Sequence, residues 1–158
     1  MNHLWAPWRV KYITQPHTKG CFICQARKSK NDSTNLVLAR YPKTLVVTNR
    51  FPYNTGHLLI APLRHEGKIA KLSQSEMLEL FTVLQAMQQL LTKVMKPDGF
   101  NVGINLGRVA GAGLVGHFHI HIVPRWNGDT NFMPVITHTK VISQSLDALY
   151  AKLRSHLR

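Results

Sequence analysis

At 158 residues the chain has the length of one domain with a sizeable core. Its 44 % hydrophobic and 17 % charged residues exclude a disordered chain, and no apolar run reaches the roughly 18 residues of a membrane-spanning helix. Twenty Lys and Arg against seven Asp and Glu leave a formal charge of +13, which points to anionic partners (nucleic acid, nucleotides, polyphosphate or acidic lipid) without choosing among them.

The opening "MNHLWAPWRVKYI" has neither the apolar core nor the small-residue cleavage site of a signal peptide, so a cytoplasmic protein with no membrane partner is expected. Residues 1–20 read as an irregular arm rich in Trp, Pro and Arg, and with no repeat or linker in sight the whole of 1–158 reads as a single domain. The only cysteines, Cys21 and Cys24 in "GCFICQ", are too few for a disulfide framework. Their CxxC spacing fits half a zinc site, a redox pair or coincidence. The redox reading lacks the βαβ pattern that should accompany it, and half a zinc site is favoured if two further ligands exist. The cations that follow, as in "RKSK" at 27–30 and "RSHLR" at 154–158, are scattered, so a solvated basic surface and a nucleic-acid face both stay open.

"NLVLARY" (35–41) and "TLVVTNR" (44–50) read as a hairpin, and "GHLLIAP" (56–62) as a third strand stopped by Pro62. The clearest helix runs from Gln74 to about Met95: Ser73 and Glu76 have capping-box spacing, and Pro97 and Gly99 follow its end. Leu78, Phe81, Leu84, Ala86, Met87, Leu90, Leu91 and Val94 recur at near-helical spacing and are expected to pack against a sheet. "FNVGINL" (100–106) alternates as a fourth strand, the flexible "GRVAGAG" (107–113) follows, and "HFHIHIVP" (117–124) is a fifth strand. A last amphipathic helix fits about Ser143–Leu157, with Leu146, Leu149, Tyr150 and Leu153 inward. Short connections between strands favour an α+β fold, an antiparallel sheet of about five strands with one long and one C-terminal helix packed on it.

Alternate residues of a strand share a face, so His117, His119 and His121 line one side while Phe118, Ile120 and Ile122 face a core. Three imidazoles at strict period two could be chance, a shared metal site, or a catalytic device in which one attacks and its neighbours orient it and handle protons. The preceding loop is not a GxxxxGK P-loop. Gly111 and Gly113 can still present backbone N–H groups to an anion, and Asn105 adds an amide. An anion-holding loop beside an imidazole row suits phosphorus chemistry.

"HFHIHIV" resembles the signature of the histidine triad (HIT) family of nucleotide hydrolases and transferases. "NRFPYNTGHLLIAPLRH" (49–65) is similar to that family's second characteristic segment, and "GCFIC" to its N-terminal cysteine pair. "LWAPWRVKYI" and "PRWNGDTNFMPV" (124–135) resemble the branch of the fragile histidine triad proteins and the bacterial diadenosine tetraphosphate phosphorylases, so the resemblance covers roughly residues 4–150.

The resemblance implies the HIT-like fold, with the sheet continued across a homodimer. It implies His119 as a nucleophile that attacks an α-phosphorus to form a nucleotidyl-histidine, with His121 on the phosphate oxygens. It implies a phosphate cradle from Asn105 and the amides around Gly111 and Gly113, a ribose contact from Asn49, His57 lining the site, and Val47 and Leu59 against the base. For those last two, ordinary core packing is an equal reading. In zinc-bearing relatives the cysteine pair is joined by a histidine and the first triad histidine, which here makes Cys21, Cys24, His65 and His117 a structural zinc site; in relatives without zinc the first histidine, His117 here, stands near the leaving group instead. Asn105 replaces a glutamine of the hydrolases. The loop is one residue longer and carries Ala112-Gly113-Leu114 in place of their Gln-Thr/Ser pair, leaving phosphate to backbone groups. These departures favour diadenosine tetraphosphate phosphorylase (ATP adenylyltransferase) activity, with phosphate as acceptor. The alternatives are a hydrolase or adenosine phosphoramidase using water, and a nucleotide- or nucleic-acid-binding module with an idle triad.

Overall fold

The computed structural model describes residues 20–130, 142 and 144–157. The expected N-terminal arm, apart from Gly20, and the expected start of the last helix at Ser143 lie outside the described residues. A short helix, α1 (Phe22–Lys28), comes first. Barely two turns long, it leaves no periodic trace in the sequence. It is fixed by its cap, where the Cys21 thiol accepts the Cys24 N–H, and by burial of Ile23 and Ala26.

The strands are β1 (Val37–Arg40), β2 (Thr44–Thr48), β3 (Leu58–Pro62), β4 (Gly99–Ile104) and β5 (Ile120–Arg125). They form one sheet in the order β1-β2-β3-β5-β4, with every neighbouring pair antiparallel. A long helix, α2 (Gln74–Met95), connects β3 to β4, and α3 (Leu146–Ser155) follows β5. This is the expected α+β arrangement.

One face of the sheet packs Leu38, Val46, Leu58, Ile60, Phe118, Ile120 and Ile122 against α2 and α3. The other face packs Val37, Leu45, Val47, Leu59 and Ala61 against Ile23 and Ala26 of α1. Leu59 pairs with His121, so the triad emerges on this second face, beside α1.

The expected strands run a little long, and for β5 the reason bears on the site. Its ladder begins at Ile120, not at His117. Ile60 pairs with Ile120, so two steps further along the ladder Pro62 would come opposite Phe118. Proline has no N–H to give. The Phe118 N–H instead donates to the Glu66 carbonyl at 2.7 Å, and His117–His119 precede the ladder, with a bend at His117.

The α2 capping box forms as expected, and Lys96 closes the helix in a left-handed conformation ahead of Pro97. Its buried stripe is Leu80, Val83, Met87, Leu90 and Leu91. Leu78 and Phe81, expected on the packing face, are 71 % and 59 % exposed. A helix laid on a sheet buries one stripe, and these two lie outside it. The free edge of β1 is covered by α3, because the Tyr150 hydroxyl and the Arg154 guanidinium donate to the carbonyls of Val37 and Leu38. The outer edge of β4 carries exposed Asn101, Val102 and Gly103.

Candidate active site and metal cluster

The three triad histidines are all buried, and their rings part ways. His119 Nδ1 lies 2.8 Å from the carbonyl oxygen of His117. A carbonyl only accepts, so Nδ1 carries the proton and Nε2 is the bare, nucleophilic nitrogen. The His119 and His121 rings lie 4.9 Å apart and tilted.

His121 is held in turn by His57. His57 Nδ1 accepts the Tyr53 N–H at 3.0 Å. The Asn49 carboxamide oxygen accepts the Phe51 N–H, which turns the Asn49 amide nitrogen to the same His57 Nδ1 at 3.2 Å. His57 therefore carries its proton on Nε2, which donates to His121 Nδ1 at 2.9 Å. The proton of neutral His121 is left on Nε2, 3.5 Å from the Asn105 amide nitrogen. Both rings stay neutral at pH 7. Burial, then the nearby His121 and His119, pushes His57 down to about 3. Burial, then His119, pushes His121 down to about 4. The arrangement thus sets a bare ring nitrogen beside an imidazole N–H donor, which suits attack at a centre that bears anionic oxygens.

The loop between β2 and β3 sets this geometry. Gly56, with φ +86°, turns the chain into His57, and a Cβ there would meet Pro124 and Met95 at under 3.0 Å. Asn54 donates to the Pro124 carbonyl and to Asp129, pinning the loop to the end of β5. Opposite His121 in the ladder, β4 offers Gly103, where an added Cβ would meet nothing within 4 Å. The approach to His121 is left clear on that side.

The other expected substrate residues gather here with changed duties. The Asn49 amide is engaged within its own loop, leaving only a spare lone pair and proton for a ribose. The Gly111 N–H already donates to the Arg108 carbonyl, and the Gly111 carbonyl faces the Asn105 amide at 3.5 Å. Of the two expected cradle amides, that of Gly111 is therefore spent within the turn, and among the described residues that of Gly113 has no backbone acceptor. Val47 and Leu59 are 3 % and 4 % exposed and packed under α1, as ordinary core. Tyr53 was not singled out in the sequence, yet its ring stacks on His121 at 5.7 Å and 15°. A tyrosine in a turn has no pattern to betray it.

His117 turns away from the other two, toward Cys21, Cys24 and His65. Its Nε2 donates to the Pro62 carbonyl at 2.7 Å, which leaves Nδ1 unprotonated. That Nδ1 lies 3.1 Å from Cys21 Sγ, 3.6 Å from Cys24 Sγ and 3.3 Å from His65 Nδ1, and Cys24 Sγ is 3.3 Å from His65 Nδ1. Zinc bond lengths to sulfur and nitrogen imply tetrahedron edges of ~3.3–3.8 Å, so the four donors fit a closed zinc site. Burial pushes the Cys21 thiol up and His117 down, each toward its uncharged form. Gly67 and Arg64 hold the His65 segment in place. A Cβ on Gly67 would meet the Val115 carbonyl at 2.5 Å, and Arg64 grips Glu76 with two 3.0 Å hydrogen bonds.

The HIT domain family model matches residues 30–128. The chain belongs to the HIT family. It is 37 % identical over 154 residues to an AP-4-A phosphorylase of Mycobacterium tuberculosis, covering 92 % of this chain and 79 % of that one. It is 36 % identical over 93 residues to an asymmetrical bis(5'-nucleosyl)-tetraphosphatase of Schizosaccharomyces pombe, covering 59 % of this chain and 50 % of that one. Among solved structures, a zinc-bound histidine triad protein of Mycobacterium smegmatis matches with a TM-score of 0.69 at 22 % identity, over 87 % of this chain and 92 % of that one. The NitFhit protein of Caenorhabditis elegans matches with a TM-score of 0.63 at 26 % identity, over 77 % of this chain and 27 % of that one.

Proposed function

We propose that this HIT protein transfers a nucleotidyl group from dinucleoside polyphosphates, diadenosine tetraphosphate foremost, to inorganic phosphate through a covalent nucleotidyl-His119. The observation that carries the reading is the His119–His117 carbonyl bond, which leaves His119 Nε2 bare beside the His121 donor. The AP-4-A phosphorylase relative supports it.

His119 Nε2 attacks the α-phosphorus, the bond from that phosphorus to the bridging oxygen breaks, and ATP leaves. An oxygen of phosphate then attacks the same phosphorus, the P–N bond breaks, and ADP leaves with the imidazole restored. The His121 N–H and the Gly113 amide stabilise the equatorial oxygens as charge grows on them. The basic surface draws in the polyanionic substrate, and its attraction weakens with salt.

Cys21, Cys24, His65 and His117 would hold zinc; when bound, it supplies a crosslink and takes no part in the transfer. Support comes from the fit of the donor set and from a zinc-bound relative. Two protomers would join through the outer edge of β4, where Asn101, Val102 and Gly103 are exposed, and we assign the exposed Leu78 and Phe81 of α2 to the same joint. The working place is the cytoplasm; among the described residues no helix is long and apolar enough to cross a membrane.

Incubation with diadenosine tetraphosphate, with and without phosphate, tests the reaction. ADP and ATP formed only with phosphate are expected. AMP and ATP without phosphate would make it a hydrolase, the activity named for the yeast relative. Absence of turnover together with tight nucleic-acid binding would make it a binding module. Turnover that survives His119→Ala would remove the nucleophile.

A further inference from the structure

We propose that Tyr53 is a positioning residue for this transfer, its ring acting as a wall that fixes the plane of His121; the role rests on the reaction proposed above. Tyr53 is 56 % exposed, yet its ring is not free in solvent. It lies nearly parallel to His121, at 5.7 Å and 15°, and tilts over His57 at 4.7 Å and 37°.

The loop that carries it is tied down around it. The Asn49 N–H donates to the His57 carbonyl and the His57 N–H to the Asn54 carbonyl, while the Asn54 side chain is pinned to Pro124 and Asp129. The Tyr53 N–H is itself spent on His57 Nδ1. The ring is thus presented by a fixed backbone, and an aromatic face held this way carries little entropy cost when it packs.

His121 needs such a wall. The hydrogen bond from His57 fixes the position of its Nδ1 but does not by itself set the tilt of the ring plane about that contact. The paired position on β4 is Gly103, which offers no side chain to lean on. His57 and His119 meet the ring only at tilts of 42° and 59°, so Tyr53 alone among these rings faces it in parallel. Fixing the plane fixes the direction of the His121 Nε2–H, on a ring whose centre lies 4.9 Å from that of His119. A donor aimed before the reaction begins needs no reorganisation in the transition state, whereas a displaced one loses most of its effect.

The test uses the full chain and two readouts. In the unliganded protein, the ring current of Tyr53 should move the carbon-bound ring protons of His121 upfield in a proton–carbon NMR spectrum. Tyr53→Phe should keep that displacement and hold kcat within about twofold, whereas Tyr53→Leu should lose it and lower kcat roughly 10- to 100-fold with KM little changed. Normal His121 shifts in the unaltered protein would overturn the proposal without any variant. So would an unchanged kcat in Tyr53→Leu, a rise in KM alone, which would make the ring a substrate contact, or an equal loss in Tyr53→Phe, which would assign the effect to the hydroxyl. Failure of the unaltered protein to act on diadenosine tetraphosphate would remove the reaction while the NMR displacement stood. Turnover without the displacement would remove only the role of Tyr53.

Discussion

His119 owes its free nitrogen to a carbonyl two residues away, and His121 owes its donor proton to a chain that starts at a backbone N–H. His57 sits midway along that chain, fully buried and neutral. Its folded pKa is depressed below the unfolded value of about 6.5. The stability it contributes is therefore present above pH 6.5 and is lost as pH falls through that value toward about 3. His121 acts in the same direction down to about 4. Denaturant unfolding followed from pH 7.5 to 4.5 should lose stability by up to about 1.4 kcal/mol per pH unit for each of these histidines. His57→Asn should flatten that slope, and an unchanged slope would refute the assignment. The triad and the cysteine pair stood out in the sequence by residue type and spacing, whereas His57, His65 and the joining of His117 to the cysteines came from the family resemblance; the structure brings these residues together. The occupied amides of Asn49 and Gly111 and the ring of Tyr53 were not legible, because backbone hydrogen bonds and stacking leave no mark on residue identity.

At the level of elements, the helices and strands do more than fill space. The Glu76 carboxylate closes the α2 capping box and also grips Arg64, next to His65. The Arg64 guanidinium and the Ser73 N–H hold Glu76 down to about 2, so its support is present above about pH 4.5 and fades as pH falls toward 2. Glu76→Gln should lower the melting temperature at pH 7 and remove that acid dependence, measured by calorimetry across the same range. On the far edge of the sheet, Tyr150→Phe would leave the buried Val37 carbonyl without its donor, at a cost of about 1–2 kcal/mol in urea unfolding. The five strands, the long helix and the C-terminal helix followed in type and order from the sequence because periodicity and turn residues mark them directly, whereas the short α1 carries no such mark. The true start of β5 did not follow either, since it depends on which residue of another strand comes opposite. Nor did the exposure of Leu78 and Phe81, which depends on where the sheet lies beneath α2.

For the molecule as a whole, the proposed metal and the proposed assembly are open to direct measurement. Elemental analysis of protein never exposed to a chelator should find about one zinc per chain, and Cys24→Ser should abolish it and lower the melting temperature. Sedimentation should find a dimer, and Leu78→Lys with Phe81→Lys should yield a folded monomer. The Cys21–His117 contact spans 96 positions of the chain, and His65 must come in from between. Closing so long a loop is entropically unfavourable until the intervening strands have paired. On a ribosome, the cysteines leave the exit tunnel long before the last ligand has been synthesised. Metal capture, with zinc as proposed, would then report that synthesis has passed residue 117: a chain truncated before that point can gather three of the donors at most, and it would forgo the crosslink together with the histidine whose carbonyl prepares the nucleophile.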